Sequence, residues 1–204
     1  ADFTAATIGE LARLCDVTLY TTADADPQSR LPEGVSVGHA PVEVLLSGSH
    51  DHDVLVSVVG NSHFHLPAIE LLKAHAAVVV THDTRLTEFY LALLGPGGLE
   101  RLMLRGKSAE SLTPPLDEQI DDMRLLQSTA FWEVARRATR LVAHTPTARD
   151  VMTADTGVEV DLLPFANYRR PLEESITPEA RQQARRRLGL DESRIHLGSF
   201  GFID

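Results

Sequence analysis

The sequence contains one cysteine, Cys15, in 204 residues. A lone thiol excludes an internal disulfide and a thiolate zinc site and suits a reducing compartment, so the expected location is the cytoplasm. Basic residues are the minority: 19 Lys and Arg stand against 29 Asp and Glu, a formal net charge of -10. Nucleic acid is therefore not an expected partner. Long apolar runs are also missing. The strongest, 53–59 and 76–80, fall far short of the roughly 20 residues that span a bilayer.

Catalytic signatures with strict spacing are absent as well. No G-x-x-x-x-G-K-[ST] phosphate loop occurs, and Gly95-Pro96-Gly97-Gly98 does not complete G-x-G-x-x-G. That glycine cluster reads as a helix stop. Gly198-Ser199-Phe200-Gly201 does not meet the G-x-S-x-G spacing of a nucleophile elbow. What remains is ordinary globular material, 43% hydrophobic and 24% charged, which excludes a disordered or low-complexity chain. The chain opens on Ala1 and closes on Asp204 directly after an apolar run, and so reads as part of a longer polypeptide.

Hydrophobic periodicity supplies the fold class. Helical spacing over 2–14 gives way to an alternating, β-branched strand over 16–20. A loop rich in Asp, Pro and Ser follows, then weak extended pieces at 35–37 and 42–46. The run 53–59 reads as a strand buried on both faces, 67–74 as a helix, 77–81 as a second buried strand and 84–94 as a helix stopped by the glycines. Between 99 and 139 two or three helices are expected, with an apolar face including Met123, Leu126, Phe131, Trp132 and Val134. A strand at 140–143, a helix at 147–154, a strand at 158–163, a helix at 178–188 and a strand at 195–200 complete the pattern. Such alternation implies α/β: a doubly wound, Rossmann-like parallel sheet with helices on both faces. Residues 1–170 form the main domain on this reading, and 171–204 a linker helix and the first strand of a second domain.

Ligands of open parallel sheets bind beyond the carboxyl ends of the strands. Three segments qualify: Gly60-Asn61-Ser62-His63-Phe64-His65, Thr81-His82-Asp83 and His144-Thr145-Pro146-Thr147. The first two converge if their strands are neighbours, which the short connection favours. Cys15 is expected to pack at the end of an apolar helical face, and Phe131 and Trp132 to belong to the core. His50 and His52 are expected in a solvated turn, and Arg185, Arg186 and Arg187 on a solvated helix face.

Five segments, in order, resemble a group of family 4 glycosyltransferases. Ala1-Asp2-Phe3-Thr4 with the following helix and strand is similar to their G-I-A-D-Y/F opening, and Gly60 to His65 to their G-N-x-x-x-H segment. Val79-Val80-Thr81-His82-Asp83 resembles their strand-H-D segment, and Leu141 to Arg149 their V-x-H-S strand and helix. Leu188-Gly189-Leu190 with Leu197 to Asp204 resembles the end of the linker helix and the first donor-domain strand. The resemblance implies the acceptor-side half of a GT-B fold, two Rossmann-like domains with the active site between them. It also implies retaining transfer of a sugar from a nucleoside diphosphate sugar, usually without a bound metal or other cofactor.

Carried over residue by residue, it assigns His82 and Asp83 to catalysis and Asp2, Gly60, Asn61, His65 and Gly201 to substrate binding. Partners would be the nucleotide sugar donor and a carbohydrate, lipid or small-molecule acceptor. Phe202 departs from the pattern, standing where many relatives carry an arginine that meets the donor phosphates. Two other readings compete: a metal-dependent hydrolase using His63, His65 and Asp83, and a non-catalytic α/β domain that binds a sugar or a protein. Peripheral contact with the inner face of the membrane through Leu99 to Lys107 is weighed against a helix packed on its own domain, which the acidic chain favours. The oligomeric state is left open by the pattern.

Overall fold

A computed structural model describes residues 2–21, 37–48, 50–105, 112, 114–116, 123–164, 177–191 and 193–196, with side chains from Thr7 onward. The chain divides into two compact units, Ala1–Ala166 and Asn167–Asp204. In the first unit, helix α1 (Asp2–Leu11) leads to strand β1 (Thr18–Thr21), which pairs in parallel with β2 (Gly38–Pro41). Helix α2 (Val42–Ser47) follows, then β3 (Val56–Val59), α3 (Leu66–Ala74), β4 (Ala77–Thr81) and α4 (Thr87–Met103). After α5 (Trp132–Ala135) come β5 (Ala138–Ala143), α6 (Pro146–Thr156) and β6 (Val160–Leu162). Strands β3, β4, β5 and β6 form one parallel sheet in that order. The architecture is α/β, with parallel sheets flanked by helices in the Rossmann-like manner.

Register explains what the sheet buries. Ser57, Val79, Leu141 and Val160 form one cross-strand row, and Val59 and Thr81 begin the next; all are buried. The opposite rows, Val56-Val78-Arg140 and Val58-Val80-Val142-Asp161, are partly open, and Val56 is 54% exposed. The run 53–59 is thus half-buried from Val56 onward rather than buried on both faces, because helices seal only one face of β3 among the described residues. Against the sealed face pack Leu86, Phe89 and Leu99 from α4 and its entry, Phe131 and Val134 around α5, and Met152 from α6. Each large side chain buried in this way contributes about 1.5–3 kcal/mol relative to exposure.

Local departures from the expected pattern have physical causes. The segment expected to be extended at 42–46 is helical, since Val42 and Leu45, three apart, are the buried pair while Val44 and Leu46 face out. The glycine cluster, by contrast, acts as the expected helix stop: Gly95 takes φ 68° and ψ 176°, outside the helical region, and Pro96 opens a second helical stretch beyond the kink, so α4 is two helical pieces. Met123 and Leu126 are exposed and Trp132 is 39% exposed, with Arg105 lying over its ring, so only Phe131 and Val134 of that face are core. Cys15 is exposed rather than packed, because α1 ends at Leu11 and its apolar face does not reach so far.

In the second unit, α7 (Pro178–Arg187) starts at Thr177, whose hydroxyl accepts the Ala180 N–H at 3.1 Å. Arg186 and Arg187 lie on its exposed surface. The expected strand at 195–200 falls largely outside the described residues. Among the described residues, no helix is long and apolar enough to cross a membrane.

Candidate functional site at the carboxyl ends of the strands

The segments after β3, β4 and β5 meet at one edge of the sheet. Extending the observed register by one or two residues places Gly60, His82 and His144 side by side, one position beyond Val59, Thr81 and Ala143. The His82 N–H donates to the Val59 carbonyl at 3.1 Å, so the turn after β4 stays fastened to β3. In that turn the Thr81 hydroxyl donates to the Asp83 carbonyl at 2.6 Å and accepts the Asp83 N–H at 3.2 Å. This folds the Asp83 carboxylate back over the end of β3, where it accepts the Asn61 N–H at 2.6 Å.

Gly60 makes that approach possible. A Cβ there would lie 2.7 Å from His65 Nε2 and 2.9 Å from Asp83 Oδ2, well inside contact distance. The imidazole of His65 is oriented by the strand that precedes it: Nδ1 lies 3.2 Å from the Val58 carbonyl and donates to it. Asn61 has a second role. Its Oδ1 accepts the Phe89 N–H at 3.0 Å, capping α4 from outside because Leu86, at the cap position, has no side-chain oxygen.

His144 joins the group from β5. It is 8% exposed, and its ring stacks on His82 with centroids 5.4 Å apart and planes inclined by 21°. Its Nδ1–H donates to the Leu163 carbonyl at 2.9 Å. Burial holds the His82 pKa below the ordinary value of 6.5, and the neighbouring His144 lowers it further; Asp83 acts in the opposite direction. His82 is therefore neutral at neutral pH, able to donate or accept a hydrogen bond. Helices α4 and α6 begin at this edge too, and their N-termini favour negative charge.

Of the residues singled out in the sequence, Gly60, Asn61, His65, His82 and Asp83 thus come together. Asp2 opens α1, with its side chain outside the described residues, and Gly201 lies outside them altogether. His63 turns away onto the exposed Phe64, ring centroids 4.1 Å apart. Among the described residues no group of three His, Cys, Asp or Glu side chains is arranged to hold a metal ion. The hydrolase reading through His63, His65 and Asp83 therefore lacks its ligand set.

His144 was the partner missing from the expected convergence. Its signal is the repeated placement Val80-Thr81-His82 and Val142-Ala143-His144, two histidines each two residues beyond a strand valine. His50 and His52 are also not a solvated turn. The Tyr20 hydroxyl lies 2.7 Å from His52 Nε2, and His50 stacks on His52 and meets the His75 ring edge-on. This second histidine cluster precedes β3 and β4 in the chain and fastens β1 and α3 to the loop before β3. Against family models, curated proteins and solved structures alike, the chain has no match.

Proposed function

We propose that this chain is the acceptor-side domain of a retaining glycosyltransferase that uses a nucleoside diphosphate sugar. The observation that carries the reading is the meeting of Gly60, Asn61, His65, His82 and Asp83 at the strand ends, in the order of the family segments they resemble. In the reaction, the bond from the sugar's anomeric carbon to the diphosphate breaks and an acceptor hydroxyl oxygen takes its place. The acceptor proton leaves with the diphosphate.

The chemistry asks for two things, positioning of the sugar and stabilisation of the departing charge. A neutral His82 ring beside the Asp83 carboxylate is suited to hold sugar hydroxyls. The N-termini of α4 and α6 supply partial positive charge at the same edge. On this reading the donor is a substrate and not a resident cofactor, and the acceptor is a carbohydrate, a lipid or a small molecule.

The test is nucleoside diphosphate release by the full-length protein that carries this chain, with a panel of nucleotide sugars. Release is expected to persist in chelator and to fall by at least two orders of magnitude in His82→Ala, within the roughly 10²- to 10³-fold range for loss of one electrostatic contact to a reacting group. Normal turnover in His82→Ala would remove His82 from the chemistry. Absence of release with every donor would contradict the transferase reading itself.

A further inference from the structure

We propose that His144 is a positioning residue for His82: clamped at Leu163 and stacked on the His82 ring, it fixes that ring across the strand ends. The inference rests on the transferase reading for its functional meaning, and on geometry for the interaction itself. His144 is buried, its Nδ1–H is committed to the Leu163 carbonyl at 2.9 Å, and its ring lies nearly parallel to His82 at 5.4 Å. A clamped ring leaves its neighbour little freedom to turn. Two imidazolium charges at that separation, in a partly desolvated setting, repel strongly, so protonation of one ring opposes protonation of the other.

The remaining charges around His82 set the balance. Asp83, on the same turn, favours the proton on His82; His65, from the segment before α3, opposes it. Burial and His144 tip the sum towards the neutral ring. A neutral imidazole suits an uncharged hydroxyl, to which it can donate or from which it can accept a hydrogen bond. The group served by this arrangement is thus an uncharged hydroxyl of a sugar rather than a phosphate, which a cationic ring would suit better.

The experiment is a pH titration of the histidine ring C–H resonances of the chain without any ligand, comparing the natural sequence with His144→Gln and His144→Phe. In the natural chain the His82 midpoint is expected below 6.5. In both variants it moves up, read as a gain of about threefold in proton affinity. The phenylalanine variant retains a ring of similar size, so it preserves the stack and the fold while removing the neighbouring imidazole. An unaltered His82 curve in either folded variant overturns the positioning role.

Kinetics of the full-length protein supply a second reading. The acid limb of kcat/KM is expected to move up with the His82 midpoint in His144→Phe; a limb that stays in place counts against the proposal. Because the ring titration is done without substrate, its failure is distinguishable from failure of the transferase reading, which nucleoside diphosphate release measures separately.

Discussion

At the residue scale, the site is built around one position with no side chain. Gly60 is needed for space and not for an unusual backbone angle: the His65 ring and the Asp83 carboxylate occupy the volume a methyl group would take. Gly60→Ala is expected to lower stability by about 1–3 kcal/mol, as overpacking does, and to break the Asn61 N–H to Asp83 contact. Urea denaturation checks the first effect and the Asn61 amide resonance the second. An unperturbed amide would mean that Asp83 reaches its place without help from the glycine. The sequence showed the members of this group, because small, polar and imidazole residues stood directly after apolar strands. It did not show that Asp83 folds back onto Asn61, since the Thr81 hydroxyl turn that directs it has no marker beyond a common Thr-x-Asp.

At the element scale, the helices are held partly from outside themselves. Helix α6 carries its own cap, the Thr145 hydroxyl accepting the Ala148 N–H at 3.1 Å. Helix α4 borrows its cap from Asn61, across the sheet edge. Asn61→Ala is therefore expected to destabilise the protein by about 1 kcal/mol, the usual effect of losing a cap, and to speed amide exchange in the first turn of α4. Unchanged exchange at Phe89 would contradict the borrowed cap. Local caps such as Thr145 can be read from a sequence, but a partner 28 residues away cannot.

The same contrast explains the strands. Strand β4 emerged with its expected bounds because it is paired on both sides and its alternation is complete, whereas 53–59 begins pairing only at Val56. Helix α2 departs from the extended expectation because the helical spacing of the buried Val42 and Leu45 prevails over the β-branched composition of the segment. Asp155 shows another long-range device: its carboxylate accepts from the Thr129 N–H at 2.7 Å and from the hydroxyls of Thr129 and Ser128. This fastens the approach to Ala130, which takes the left-handed φ of 55° just before the buried Phe131.

At the scale of the whole molecule, titratable groups inside the first unit set the limits of pH stability. Burial pushes the Tyr90 hydroxyl up to about 12 from an ordinary value of 10, only weakly opposed by Arg137. The unfolded chain ionises Tyr90 first as pH rises, so stability is full below about pH 10 and is lost as pH climbs towards 12. Tyr90→Phe is expected to flatten part of that alkaline loss, measured as the urea midpoint between pH 9 and 11.5; an identical alkaline slope would exclude Tyr90 as its source. At the acid end the sign reverses. His82, with a lowered folded value, resists protonation while the unfolded chain accepts it, so its contribution declines as pH falls below 6.5.

The molecule also keeps two histidine groups apart by position. His82, His144 and His65 stand at the carboxyl ends of the strands, while His50, His52 and His75 stand before them, tied to Tyr20 and the Leu45 carbonyl. Parallel strands make this separation possible, because all their carboxyl ends share one edge. The most direct measurement of the account is an amide chemical-shift map of the full-length protein that carries this chain, titrated with a panel of nucleoside diphosphate sugars and with inorganic pyrophosphate. Shifts are predicted at Gly60, Asn61, His65, His82, Asp83 and His144, with His50, His52 and His75 unmoved. Shifts centred on the second histidine group, or none with any donor, would contradict a ligand site at the strand ends.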